Sequence, residues 1–149
     1  MRKIVSNTSC LISLTNIDML WVLQSLYGGI FVTKEVAAEY GEKLPQWIKV
    51  LTVSDVKAIK ILNSYVDLGE ASTIALAMET EDATMILDDM KARKLADSLR
   101  LKYTGTIGVL LKAKQSNTDI SLAECIQKFR KCRFRISKTI EDAMLKADQ

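Results

Sequence analysis

The sequence predicts an α/β fold, a parallel sheet covered by helices on both faces. Three observations predict it. Short β-rich runs alternate with segments of helical character along the whole chain, as in βαβ units. The run over 84–87 reads as a strand buried on both sides. Acidic residues stand where strands give way to helices, at Glu70, Asp88 and Asp89, the end of an open α/β sheet where ligands bind.

The elements follow in order. Residues 3–6 form the first strand, and Thr8 or Ser9 caps a helix whose apolar side carries Leu11, Ile12 and Leu14. A second helix over 18–26 ends at Gly28-Gly29. Residues 30–32 are a strand, and Thr33 starts a helix through Tyr40 that bears Glu35 and Glu39. Pro45 interrupts the pattern. A strand over 48–53 precedes a helix capped by Ser54 or Asp55 and running to about Val66. Residues 67–69 read as a turn, and 70–79 as an Ala-rich helix small enough to lie close on a sheet. After the strand at 84–87 come a helix over 89–99, a strand over 102–104 and a helix over 107–114 introduced by Gly105. Ser121 and Glu124 have capping-box spacing for a helix to about Lys131. Residues 133–136 are strand-like, and Ser137 opens a last helix. No repeat, low-complexity tract or linker interrupts residues 1–149, so a single domain is expected.

Composition narrows the chemistry. Of 149 residues, 48% are hydrophobic and 26% charged, which suits a globular domain with a sizeable core. The net charge of +3 permits contact with nucleic acid without demanding it. No His is present, which removes the usual nucleophilic triads and His-based metal sites. Cys10, Cys125 and Cys132 lack zinc-site spacing and are read as core or surface thiols. Their odd count gives no disulfide framework, so a reducing cytoplasm is expected, and neither a membrane span nor a signal peptide is seen.

Five short motifs then carry a family resemblance. Val5-Ser6-Asn7-Thr8-Ser9 resembles the opening of PIN-domain proteins, in which a strand ends in Asp-Thr-Ser. Phe31-Val32-Thr33 followed by Val36-Ala37-Ala38-Glu39 resembles the second motif, and Leu68-Gly69-Glu70-Ala71 with Ile74-Ala75-Leu76-Ala77 the third. Ile86-Leu87-Asp88-Asp89 with Lys91-Ala92-Arg93 resembles the fourth. The stretch from Thr104 to Leu110 is similar to one branch of the family found widely in prokaryotes. The resemblance covers nearly the whole chain. It implies a three-layer α/β/α sandwich around a mostly parallel sheet and a Mg²⁺- or Mn²⁺-dependent ribonuclease. Many members are VapC-type toxins held inactive by a small antitoxin protein.

The resemblance assigns Asn7, Glu39, Glu70, Asp88 and Asp89 to the catalytic site, with Asn7, Glu70, Asp88 and Asp89 as metal ligands. Hard divalent cations take oxygen ligands, so a His-free site suits them. Such an ion can activate water, polarise a phosphate and stabilise the leaving oxygen. Glu35 competes with Glu39 on one helix face, and which of Asp88 and Asp89 meets the metal stays open. Thr8, Ser9, Thr104 and Thr106 are expected either to position water or phosphate by hydroxyl contacts or to serve as caps and turn residues. Lys91, Arg93 and Lys94 are expected to contact RNA phosphates, with a second basic cluster at Lys128, Arg130, Lys131, Arg133 and Arg135. Trp21 and Trp47 are expected as core or interface anchors, or as stacking platforms for bases.

The departure is Asn7, an amide where the family pattern has Asp. It carries no formal charge, which weakens cation binding and predicts impaired activity. Two origins of the amide stay open: a nuclease retired to a binding module, or an inactivating change engineered into a toxic enzyme. A phosphoacceptor signalling domain fits poorly, because Asn7 has no acidic neighbour. Expected partners are RNA, an antitoxin and further copies of the chain, the last through Leu11, Ile12, Leu20 and Trp21 or the segment 140–145.

Overall fold

The computed structural model describes residues 2–116, 118–132 and 136–148. Five strands, β1 (Lys3–Ser6), β2 (Ile30–Thr33), β3 (Ile48–Leu51), β4 (Ala83–Ile86) and β5 (Lys102–Thr104), form one sheet in the order β3-β2-β1-β4-β5. Every pairing is parallel. Among the described residues nine helices cover it: α1 (Thr8–Asn16), α2 (Trp21–Tyr27), α3 (Lys34–Tyr40), α4 (Val56–Leu62), α5 (Leu68–Met78), α6 (Met90–Ser98), α7 (Thr106–Gln115), α8 (Leu122–Lys131) and α9 (Lys138–Ala147). The result is the α/β/α sandwich that the alternation of elements predicts.

Strand residues divide between two cores by the two-residue period of a pleated chain. Ile4 and Ile86 join the first core, with Leu11 and Leu14 of α1, Val22 and Leu23 of α2, Val109 and Leu110 of α7, and Phe129 of α8. Val5, Met85 and Leu87 join the second, with Ala71, Ile74 and Ala75 of α5 and Ala92 and Ala96 of α6. Helix α5 is buried without a break from Gly69 to Ala77, and its small side chains are what permit that depth. Leu11, expected at an interface between copies, is fully buried in the first core. Ile12, Trp21, Ile140 and Leu145 remain exposed.

Local chemistry sets most helix starts. The side chains of Thr33, Asp55, Ser121 and Ser137 each accept a hydrogen bond from the backbone N–H three residues on. Several predicted boundaries move: the strand expected to residue 53 ends at Leu51 and the helix expected to about Val66 ends at Leu62, and three other changes have local causes. Asp18 takes a left-handed backbone, φ 56°, so α2 begins at Trp21 and not at residue 18. The cap of α1 is Asn7 itself, since Oδ1 accepts from the N–H of Cys10 at 3.1 Å, in place of Thr8 or Ser9. The 67–69 turn is the start of α5, with Asp67 Oδ1 accepting from the N–H of Glu70 at 2.9 Å. The strand-like reading over 133–136 falls mainly outside the described residues, as do Arg133 and Arg135. At the C-terminus, Asp148 accepts from the N–H of Leu122 at 2.8 Å and lies 3.2 Å from Lys114 Nζ, so the end of α9 is tied to the start of α8.

Candidate active site

Parallel strands present their carboxyl ends at one edge, and the helix starts that follow them gather there. Asn7, Thr8, Ser9 and Ile12 from the β1–α1 turn line one wall of a small cleft of about 140 Å³. Glu39 from α3 and Asp67 and Glu70 from the start of α5 line the rest. Thr33, at the end of β2, caps α3 and also meets Ser72 Oγ at 2.7 Å, which fixes α3 against α5. Thr8 Oγ1 donates to Glu39 Oε1 at 3.2 Å, which aims Glu39 into the cleft. Glu35, the competing acid, does not line it.

Gly69 makes this convergence possible. A Cβ there would overlap the Glu39 carboxylate and stand 3.2 Å from Thr8 Oγ1. Only a residue without a side chain lets α5 begin so close to both. In the sequence Gly69 reads as turn chemistry and as part of the third motif, and neither reading shows this close approach.

Asp88 and Asp89 part company after β4. Both line a second cleft with Ser9, Ile12 and Ser13, so Ser9 and Ile12 form the wall shared with the first cleft. Asp88 turns toward α7, where its Oδ1 accepts from the N–H of Thr106 at 2.8 Å and its Oδ2 from Thr106 Oγ1 at 2.6 Å. Asp89 caps α6 through the N–H of Ala92 at 3.0 Å, and its charge acts on Glu70. Thr106 thus holds Asp88 by both its N–H and its hydroxyl. Arg93 is committed to the fold: its Nε donates to the Leu87 carbonyl at 2.8 Å and its guanidinium lies over the Tyr103 ring. Lys91 and Lys94 are exposed on α6.

The electrostatics mark Glu70 as the strained member. It is 8% exposed, and its Oε2 is buried with no hydrogen-bond partner among the described residues. Burial, followed by a hydrogen bond and charge repulsion from Asp67 and then the charge of Asp89, pushes its carboxyl up to about 8. Burial and the Asp67 charge also raise Glu39, against the Thr8 hydrogen bond, which lowers it. Asn7 is 2% exposed and adds no charge to this group. Cys10, beneath the site, is pushed up to about 12 chiefly by burial, which keeps it a neutral core thiol.

Asp67 is the site residue that sequence reading missed. Its signal was present, since Asp67-Leu68-Gly69-Glu70 has capping-box spacing and an N-terminal acid followed by an acid at the third helical position. Asn7, Glu39 and Glu70 come together in one cleft; Asp89 adjoins it, and Asp88 stands on the far side of the shared wall, held by Thr106.

The donor set suits a hard divalent cation. Every candidate ligand is an oxygen, and the buried Glu70 Oε2 among like charges lacks the positive partner that would offset them. Among the described residues, no three His, Cys, Asp or Glu side chains are already grouped as a metal site, so coordination requires side-chain rotation. No single helix among those residues is long and apolar enough to cross a membrane.

Comparison with known proteins agrees with the fold. A family model described as PIN domain matches residues 3–149. PIN domains have a nuclease-type fold and generally use divalent metal ions. Neither the curated proteins nor the solved structures compared with the chain returned a match. The all-parallel β3-β2-β1-β4-β5 sheet, the acids at its carboxyl end and the family match over nearly every residue together make this chain a member of the PIN-domain family.

Proposed function

We propose that this chain is a PIN-type endoribonuclease that uses Mg²⁺ or Mn²⁺, works in the cytoplasm and is the toxin of a toxin–antitoxin pair. The observation that carries the reading is the single cleft shared by Glu39, Asp67 and Glu70, with Asp89 beside it, at the carboxyl ends of parallel strands. A structural protein seldom retains such crowding of like charges, because each acid raises the cost of ionising the next.

Glu70, Asp67 and Asp89 would hold the cation, with Asn7 and Asp88 entering through oxygens that already accept hydrogen bonds. When bound, the ion supplies an activated water and charge stabilisation at the phosphate. Glu39, held at one oxygen by Thr8, is placed to take the proton of the attacking water. Ser9 lies on the wall between the two clefts, where its hydroxyl can orient a phosphate oxygen. An antitoxin segment crossing the cleft, and pairing of two copies through exposed Ile12 and Trp21, complete the proposal.

Asn7 favours a second reading, a catalytically inactive module that keeps the fold and binds RNA or protein. One experiment separates the two. RNA cleavage is followed with Mg²⁺ and with Mn²⁺ for this chain and for Asn7→Asp. The nuclease reading expects cleavage to rise at least tenfold in the variant. RNA left intact by Asn7→Asp, together with no cation binding by calorimetry, would establish the inactive module instead.

A further inference from the structure

A second feature lies away from the acids, along the edge strand β5. A recess of about 320 Å³ is lined by Arg2, Lys102 and Lys112 together with Tyr27, Thr84 and Thr104. Three cations from three separate stretches of the chain converge on it. Arg2 precedes β1, Lys102 opens β5, and Lys112 on α7 lies 5.1 Å over the Tyr27 ring. One acid opposes them: Asp82 stands 4.0 Å from Lys102 at an exposed position.

Thr84 gives the recess its second distinguishing mark. It sits in β4, in register with Ile4 and Lys102, where a sheet covered on both faces ordinarily places a hydrocarbon side chain. It is 9% exposed, and its Oγ1 is buried without a hydrogen-bond partner among the described residues. A buried hydroxyl in that state is costly unless a ligand completes it. Clustered cations with an unsatisfied hydroxyl match a phosphate oxygen, which accepts from both.

The recess lies by the amino ends of the strands and is linked to the acidic site at their carboxyl ends by a series of shared walls. Ser9 and Ile12 join the two acidic clefts, and Asp88 lines both the second cleft and a neighbouring recess of about 560 Å³. Tyr103 and Thr104 line both that recess and the basic one. Arg93 stands between, stacked on Tyr103. Asp88 is four residues beyond Thr84, roughly 13 Å at the rise of a strand. A single strand running from the recess to the acidic cleft would follow that path and then cross the wall formed by Ser9 and Ile12.

We propose that this basic recess anchors a phosphate of the RNA strand whose scissile bond lies in the acidic cleft, with the strand passing over Arg93 and Tyr103. The assignment rests on the nuclease reading for its ligand and on the recess for its location.

The test is binding of a fluorescent single-stranded RNA ten-mer in EDTA, followed by anisotropy over a range of salt. The variants are Arg2→Gln/Lys102→Gln/Lys112→Gln, Thr84→Val, and a control of equal charge, Lys49→Gln/Lys57→Gln/Lys60→Gln, on β3 and α4. The triple variant at the recess is expected to lose at least tenfold in affinity. Its salt slope should shrink by about 0.7 for each phosphate no longer neutralised. Thr84→Val, which keeps the side-chain shape, is expected to lose several-fold with little change in slope. The control should bind within twofold of the unaltered chain. Equal losses in the control and the recess variant would overturn the site, because total charge would then explain both.

Inorganic phosphate forms a separate arm. If it binds the recess by NMR titration but the recess variant holds RNA normally, the site serves a free anion and the RNA assignment fails. Undiminished RNA affinity in the recess variant, alongside metal-dependent cleavage by Asn7→Asp, would defeat the anchor and leave the nuclease standing. Absence of any RNA binding by the chain and by Asn7→Asp would defeat both.

Discussion

Glu70→Gln isolates the electrostatic state of the cleft. The carboxyl moves from an ordinary 4.5 in the unfolded chain to about 8 in the fold, so the native state holds an extra proton between those values. The contribution to stability is therefore full below about 4.5 and disappears as pH rises through about 8. At about 1.36 kcal/mol per pKa unit the upper bound is ~5 kcal/mol. Solvent at the cleft mouth reduces this to ~1–2 kcal/mol. For a domain of this length that is about 3–6 °C in melting temperature. In EDTA the wild type and Glu70→Gln should melt close together at pH 5, and the variant should melt higher by that amount at pH 8.5. Millimolar Mn²⁺ should raise the wild type at pH 8.5 and leave the variant nearly unchanged, because a cation replaces the proton only where a carboxylate exists. A gap that is the same at both pH values, or a variant less stable at pH 8.5, would refute the argument that Glu70 is held neutral by its acidic neighbours.

Four further outcomes are expected. Asn7→Ala removes the cap of α1 and should cost about 1 kcal/mol by denaturant melts, whereas Asn7→Asp, an equally good cap, should fold normally. Gly69→Ala forces a methyl against the Glu39 carboxylate and should destabilise by ~1–3 kcal/mol; a crystal structure should show α5 displaced from Thr8. Thr106→Val deletes the hydroxyl bond to Asp88, worth ~1.5–3 kcal/mol for a bond to a charged group, and should be visible as a lowered urea midpoint with an unchanged slope. Asp148 is held below the usual carboxylate range, first by the Leu122 N–H and then, against burial, by Lys114 and the Ala123 N–H. Its contribution should exist above the unfolded value and vanish as pH falls through the lower folded one, so Asp148→Asn should melt lower at pH 7 and converge with the wild type under acid.

Caps and strand ends were legible because their causes are local. Thr33, Asp55, Ser121 and Ser137 each bond a backbone N–H three residues away, a relation written in consecutive letters. The cap at Asn7 was obscured by its neighbours Thr8 and Ser9, which are equally good capping types. Asp67 reads as a turn residue because Leu68 and Gly69 resemble a turn, although the start of a helix uses the same residues.

The order of the chain was enough to establish the α/β alternation, the two-sided sheet and the acids Asp88 and Asp89 after β4, since periodicity and capping act over a few residues; Glu70, read as following a strand, follows helix α4 instead. Contacts between distant elements chose among those acids. Glu39 is preferred to Glu35 because Thr8, 31 residues earlier, reaches it. Asp88 is separated from Asp89 because Thr106, 18 residues later, binds both its oxygens. Glu70 is held neutral by burial and by its acidic neighbours, a property of the assembled interior that no neighbouring letter encodes.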